Sequence, residues 1–494
     1  MEIRENCRLH ILASELSVII LKTRFQLFNS MVPVTGRWLP ALNSVGIPSN
    51  SDPDSGYNIG GFIATSTINP SNWTRSYSRS AYIDSLPPRQ NLHILSNATV
   101  TRIVFSETND PSGSKIVTAI AFSTGKGTDE QSVSVSKEAI LAGGAFGSPQ
   151  ILQVSGVGPK DVLQNANVTV LLELPGVGQH LMDHITVPVY FNTSDETAGS
   201  IHASGSDFSK SPIFNSFVND GVAYVNGSLL FAGDASFATF RSQIAYELPN
   251  SVATRVPSSD PQVIQGYKAI YQATSDKIQP TAGIVEILFS VNGAGVLAIQ
   301  SALQQPLSQG RMFVTSPSIY DSPTIDPQYL SHPADIVILR QAIKLAREIA
   351  ASAPLSVNIT GEFLPGTQVQ ADSDVEAYIR SYAASEFHPT GTCAMLPMEQ
   401  GGVVDAKLKV YGVKNLRVVD SSVYPVSFCA HMMSSTYALA ENAARIILGD
   451  WGSTATVPSA SPTSTVQKNE AQAMASCSWL AVCIMAIATI ASLL

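Results

Sequence analysis

Apolar and polar residues alternate along Asn91–Phe105 (NLHILSNATVTRIVF), the period of half-buried strands, and the pattern predicts two of them. Ile116–Phe122 and Ser132–Ser136 read as the arms of a hairpin. Glu138–Gly144 (EAILAGG) is a short apolar strand that runs into glycines. A helix is expected to follow near Ser148-Pro149, because proline suits the first helical position. Strand, Gly-rich turn and helix in that order present backbone N–H groups to a phosphate or cofactor. Leu39–Ser66 is loop-rich, and Phe191–Ile299, rich in Ser, Asn and Gly, gives no readable period. Gly310–Ser316 and Pro323–Tyr329 read as strand and turn. Over Ala334–Ala351, the residues Ile336, Leu339, Ile343, Ala346 and Ala350 recur every three or four positions, which predicts an amphipathic helix. A shorter helix is expected over Ser373–Ala383, with Ser373 and Glu376 spaced as a capping box. Leu416–Val419 reads as a buried strand ending at Asp420, and Ser434–Leu448 as a last helix stopped by Gly449. No repeat of fixed period interrupts this order.

The length of 494 residues leaves room for about two to four domains. Hydrophobic residues make up 45% of the chain and charged residues only 14%, with a formal charge of 29 − 38 = −9. That balance argues against a nucleic-acid partner, which calls for a basic patch, and against a disordered acidic chain. The five cysteines (Cys7, Cys393, Cys429, Cys477, Cys483) form no C-x-x-C pair, so zinc-ribbon and thioredoxin readings have no support. The C-terminus reads as targeting: a Ser/Thr/Pro-rich linker over 451–475 precedes an uncharged apolar tail over 476–494. Polar spacer plus short apolar tail fits a GPI-attachment signal, with Asn469 or Ser464 as the attachment residue, or a C-terminal transmembrane anchor. Sequons at Asn72, Asn97, Asn167, Asn192, Asn226 and Asn358 fit a secreted, cell-surface chain. The N-terminus carries no signal peptide, since Glu15 interrupts its apolar stretch.

Two histidines stand out by context: His388 in FHPTGTCAM and His431 in SFCAHMMSS, each in a loop of small and apolar residues. Such surroundings keep an imidazole neutral and able to act as a base near neutral pH. Neither an H-E-x-x-H zinc motif nor a G-x-S-x-G nucleophile elbow is present.

GGAFGSPQILQVSGVGP (143–159), LPGVGQHLMDH (174–184) and the block HPTGTCAM…GGVVDAKLKVYGVKNLRVVDSSVYP…AHMMSSTYALAENAARII resemble the GMC (glucose–methanol–choline) flavin oxidoreductases. PLSQGRMFVTS and TIDPQYLSHPADIVILRQ are similar to the same family, and the likeness covers roughly Leu39–Asp450, nearest to its aryl-alcohol and other fungal members. The resemblance implies an α+β and α/β chain: an incomplete Rossmann-like FAD-binding domain and an antiparallel-sheet substrate domain. It divides the chain into 1–38 (unplaced), 39–190 (remainder of the FAD domain with part of the substrate domain), 191–385 (substrate domain) and 386–450 (return to the FAD domain and active site). It implies FAD as cofactor, a small-molecule alcohol as substrate, and oxygen or a quinone-type acceptor. His388 matches the general base and His431 the partner that binds the substrate oxygen. Val100 matches the adenine contact, Gly143 and Gly144 glycines near the dinucleotide, and Asp420 the carboxylate by the pyrophosphate. Ala430, His431 and Met432 match the backbone beside the flavin ring, while Tyr424 and Phe428 are candidates to line the pocket. The family's opening G-x-G-x-x-G unit, with an acidic residue about 20 positions on, has no counterpart here. The reading is therefore of a chain truncated at its N-terminus that alone binds FAD weakly or not at all. The alternatives from other classes are a hydroxynitrile-lyase-like lyase or a cyclase using the same histidines, and a non-catalytic pseudoenzyme.

Overall fold

The computed structural model describes residues 32–69, 72–215 and 218–452. Its largest sheet is antiparallel, in the order Gly60–Ile63, Gly221–Asn226, Gly283–Gly293, Val296–Leu303, Ile185–Thr193, Ile359–Leu364. The short Ala384–Ser385 also pairs with Ile185–Thr193. Side chains alternate across a strand, so the two faces carry different residues. Val285, Ile287, Phe289 and Val291, with Leu297, Ile299 and Leu303 opposite, enter the main core. Helix Pro333–Ala351 lies against the strands on that side and buries Ile336, Leu339, Ile343, Ala346 and Ala350, the positions that its spacing predicts. The other face holds a row of paired positions, Glu286 beside Ala302 and Ala302 beside Thr186. The same parity puts His184, Gln304 and Glu386, just past their strand ends, on that side. This polar face is the floor of the site described below.

The N-terminal residues that the sequence leaves unplaced divide in two. Residues 1–31 lie outside the described residues. Val32, Val34 and Trp38 are buried in the main core, and Trp38 stacks on Phe289 with ring centroids 5.0 Å apart. Gly221 makes room for that indole: a Cβ there would lie 2.4 Å from Trp38 Cδ1.

A second core gathers around two parallel strands, Ala139–Leu141 and Leu416–Val418, with helices Gly144–Val154 and Met432–Asp450. The Arg417 guanidinium is fully buried between Glu138 at 2.7 Å and Asp450 at 2.8 Å, which keeps its charge compensated. Strands Thr99–Phe105, Val117–Ser123 and Gln131–Ser134 form an antiparallel sheet beside this unit. Ile140, in the middle of its strand, is 46% exposed, so the two-stranded sheet shows an uncovered apolar side.

Several local expectations are corrected. Only Thr99–Phe105 is a strand in the Asn91–Phe105 stretch; residues 91–98 are irregular, with Leu92, Ile94 and Leu95 exposed. Alternation marks one buried face only where a second element covers it, and none does here. Helix Gly144–Val154 begins before Ser148, so Pro149 sits inside it and cannot donate to the Ala145 carbonyl. The Thr392 hydroxyl donates to that carbonyl instead, at 2.6 Å. The helix at Asp372–Tyr382 is preceded by Ala371 with no side-chain cap, so Ser373 and Glu376 form no capping box. The last helix runs through Gly449 to Asp450, whose carboxylate is held by Arg417, Lys407 and Lys409. The unreadable stretch contains two long helices, Asp234–Arg255 and Pro261–Lys277, besides the whole of strands Gly221–Asn226 and Gly283–Gly293. The apolar tail and its linker lie outside the described residues, among which no helix is long and apolar enough to cross a membrane.

Candidate active site

The chain brings its motif blocks together by backbone hydrogen bonds. Met182 and Thr390 exchange N–H to carbonyl bonds of 3.1 and 2.9 Å. Cys393 and Met395 donate to the carbonyls of Ser422 and Val423 at 2.8 and 2.9 Å. The first contact demands glycine at 391: φ is +92°, and a Cβ would lie 2.0 Å from the His180 carbonyl oxygen. The LMDH, HPTGTCAM and VVDSSVYP segments are thus fixed against one another before any side chain is considered.

Asp183 then anchors the loop that carries His388. Its Oδ1 accepts the His388 N–H at 2.9 Å, while Oδ2 accepts the Tyr329 hydroxyl at 2.5 Å and the Ser385 hydroxyl. Burial raises the Asp183 carboxyl above the usual range, against those hydrogen bonds. Behind the loop, His184 Nδ1 and His388 Nδ1 lie 3.1 Å apart, with rings edge to face. One ring must donate and the other accept. For His388 to accept a proton at Nε2, its own hydrogen sits on Nδ1 and is donated to His184. Burial, reinforced by the nearby His431 charge, lowers the His388 pKa from 6.5 to about 4. Burial and the neighbouring imidazoles lower that of His184 to about 3. Both rings are therefore neutral near pH 7.

His431 has the opposite bias. Its ring lies 5.1 Å from that of His388, centroid to centroid, and its Nε2 lies 2.8 Å from Glu286 Oε1. The hydrogen bond to the fully buried Glu286 raises its pKa from 6.5 to about 9, against the opposing pull of burial. Gln304 braces the floor by donating to Glu286 at 3.2 Å and to Glu386 at 3.4 Å. Burial and then the Glu286 charge push the Glu386 carboxyl up. The His431 side chain remains 53% exposed, so the cationic ring faces an open space next to a neutral one. Two titratable groups with pKa values driven apart are what paired acid–base chemistry requires.

Among the sequence candidates, His388 and His431 are therefore brought together. Ala430 and Met432 flank His431 at the start of helix Met432–Asp450, which has no side-chain cap and so keeps backbone N–H donors for an outside acceptor. Gly143, Gly144 and Asp420 meet elsewhere. Asp420 Oδ2 accepts the Gly144 N–H at 3.0 Å and the Ser148 hydroxyl at 2.5 Å, and Ser148 Oγ accepts the Gly143 N–H at 2.9 Å. Those donors are engaged inside the protein. The turn offers room instead, since a Cβ on Gly144 or Gly147 would meet nothing within 4 Å. Val100 pairs with Phe122 in the separate three-stranded sheet. Tyr424 and Phe428 pack edge to face in the second core.

Sequence reasoning missed His184, Asp183, Glu286 and Glu386. The signal for Glu286 was present: it is the one charge in the apolar run GIVEILF. A charge there is either an error of pattern or a functional group.

Residues 28–186 match the N-terminal model of the GMC oxidoreductase family and residues 306–440 its C-terminal model. The chain is 40% identical over 417 residues to GMC oxidoreductase family protein Mala s 12 of Malassezia sympodialis, covering 84% of this chain and 65% of that relative. It is 30% identical over 413 residues to versicolorin B synthase of Aspergillus parasiticus, covering 82% of this chain and 59% of that relative. It thus spans less than two thirds of the length of these relatives. An FAD-dependent oxidoreductase from Chaetomium thermophilum superposes with TM-score 0.78 at 28% identity, covering 86% of this chain and 73% of that one. A fungal aryl-alcohol oxidase superposes with TM-score 0.74 at 25% identity, covering 88% and 76%. With both halves of the family pattern matched and the motif blocks assembled around paired histidines, the chain belongs to the GMC oxidoreductase family, whose cofactor is FAD.

Proposed function

We propose that the protein oxidises an alcohol to an aldehyde or ketone. The observation that carries this reading is the pair of imidazoles 5.1 Å apart, one neutral and one cationic near pH 7. The described residues fit the flavin end of FAD. The uncapped first turn of the helix that starts at Met432 would hold the ring edge with backbone donors, with Ala430 and His431 flanking it, and the open turn at Gly144 and Gly147 leaves room for close approach. Bound FAD supplies the hydride acceptor at N5. His388 accepts the substrate hydroxyl proton at Nε2, while His184 holds its Nδ1–H. His431, kept cationic by Glu286, stabilises the negative charge that grows on the substrate oxygen. A positioned base of this kind contributes about 10² to 10⁴-fold to rate.

The test first measures how much FAD the protein retains, since the sequence predicts weak binding, and then mixes the FAD-loaded protein anaerobically with a panel of alcohols while flavin absorbance is followed. Bleaching by one alcohol class, abolished in His388→Ala, is expected. A bound flavin that no alcohol reduces would transfer the site to lyase or cyclase chemistry. Versicolorin B synthase among the relatives gives that second reading its support. Oxygen or a quinone-type compound is the proposed final acceptor. We also propose a cell-surface placement through a GPI or transmembrane tail, supported by residues 476–494 and by the exposed sequon asparagines Asn72, Asn97, Asn167 and Asn192.

A further inference from the structure

Alcohol oxidation, as proposed, uses the contact between His184 and His388 but not the approach of Glu386 to both. Their ligand atoms lie within 4.8 Å of one another, and among the described residues no other set of His, Cys, Asp or Glu does so. His184 Nδ1 and His388 Nδ1 are 3.1 Å apart, and Glu386 Oε2 lies 3.8 Å from His388 Nδ1. Zinc bonded to nitrogen and oxygen at ~2.1 Å in a tetrahedral site separates its ligands by ~3.4 Å, and the two observed edges bracket that value. Two imidazoles and one carboxylate form an open three-ligand set, of the kind that leaves a fourth position for water or an alcohol.

The surroundings favour a cation. Asp183, Glu286 and Glu386 are all buried or nearly so; among the described residues none is paired with Lys or Arg, and the cationic His431 ring compensates Glu286 alone. The Gln304 amide already holds Glu386, as outer groups do for metal-binding carboxylates. His184 Nε2 is buried without a close hydrogen-bond partner, and its Nδ1 faces His388.

We propose that His184, Glu386 and His388 form a site for a divalent cation of the zinc class, and that its occupation switches off His388 as a base. Coordination displaces the hydrogen on His388 Nδ1, which returns to that ring at Nε2 through solvent, and releases the Glu386 carboxyl proton to solvent as its oxygen becomes a ligand. The neutral His388 ring then carries its hydrogen on Nε2. That nitrogen becomes a donor and has no lone pair with which to take the hydroxyl proton. No electron is transferred, and chelation restores the original tautomer. The inhibitory consequence rests on the proposed alcohol oxidation; the site itself does not.

The experiment has two arms. In the first, Zn²⁺ alone is titrated into the protein by calorimetry, and Co²⁺ is added to a parallel sample to read its visible absorption. One equivalent of Zn²⁺ and a low-symmetry Co²⁺ band are expected. Both should weaken about tenfold or more in His184→Ala and in Glu386→Gln, with circular dichroism confirming that each variant folds. Binding absent from the folded native protein, or indifferent to both substitutions, overturns the site. In the second arm, alcohol-dependent flavin bleaching is followed with Zn²⁺ and after chelation. Reversible inhibition that weakens in Glu386→Gln is expected. Zinc that binds through these residues without slowing bleaching overturns the tautomer switch. Failure of every alcohol to bleach, with zinc binding intact, refutes the oxidation reading and leaves the site standing.

Discussion

Replacing Glu286 with glutamine tests the origin of the His431 charge. Glutamine keeps the volume and one of the two acceptor oxygens, and Gln304, whose Oε1 lacks a partner, can turn to accept from the new amide, so the strand has little reason to move. What it removes is the carboxylate 2.8 Å from His431 Nε2, the first cause of the rise from 6.5 to about 9. A complete return to 6.5 would lower the imidazolium fraction at pH 8 about thirtyfold. The return should be incomplete, for a structural reason. Glu386 is held protonated by burial and by the charge of Glu286. Once Glu286 is neutral, Glu386 ionises at lower pH and supports His431 in its place. The single variant should therefore titrate between the two limits, and Glu286→Gln with Glu386→Gln near 6.5. The assay is NMR of the imidazole ring protons across pH 5 to 10, which needs no turnover. In FAD-loaded protein the alkaline limb of the rate profile should fall in parallel, because the rate requires His431 protonated. A native His431 midpoint near 6.5, or one near 9 that both substitutions leave in place, would refute the account.

Two further outcomes follow from buried groups. His388 and His184 titrate at about 4 and about 3 in the fold and at 6.5 when unfolded, so between pH 6.5 and 4 the unfolded chain binds more protons and stability falls as pH drops. Glu386, whose carboxyl the fold pushes up from 4.5, acts in the opposite sense across the same range, so urea midpoints at pH 7 and pH 5 are compared between native protein and His388→Asn; an acid loss no smaller in the variant would count against a neutral buried His388. Asp420→Ala leaves the Gly144 N–H, the Ser148 hydroxyl and the Ser422 N–H without their acceptor and should cost about 3 kcal/mol or more. An unchanged unfolding midpoint would mean that other groups can satisfy those donors.

The sequence made legible what depends on local periodicity and on contiguous motifs. Helix Pro333–Ala351 follows from five apolar positions at helical spacing, and the 117–123 and 131–134 hairpin from alternation. Residues 234–255 were opaque because their helix buries only Phe237, Phe240, Ile244 and Ser251, too thin a stripe to mark a period, whereas Val263, Tyr267, Ile270 and Thr274 of helix Pro261–Lys277 do carry a helical spacing that sequence reasoning missed. The start of helix Gly144–Val154 was misplaced because proline reads as a first-turn residue. Its position deeper in the helix depends on Thr392, 247 residues away, satisfying the carbonyl that proline cannot. The two candidate imidazoles, His388 and His431, were legible because each sits inside a family motif. Their opposite charge states were not, because they depend on Glu286, which reaches His431 across 145 residues of chain.

That separation explains how one sheet can set two protonation states. Strand parity alone puts Thr186, Ala302 and Glu286 in one row, and carries His184, Gln304 and Glu386 to the same side at the strand ends. A one-residue slip of strand Gly283–Gly293 would send Glu286 into the core beneath helix Pro333–Ala351 and offer His431 an apolar side chain. The main core forbids the slip, because Val285, Ile287, Phe289 and Val291 would then have to leave it together. Burying four apolar side chains is worth about 1.5–3 kcal/mol each, well above the cost of placing a single carboxylate beside a cationic ring. The packing of the large antiparallel sheet thus holds the acid–base bias of the site: the apolar face fixes the register, and the register fixes which imidazole carries the extra proton.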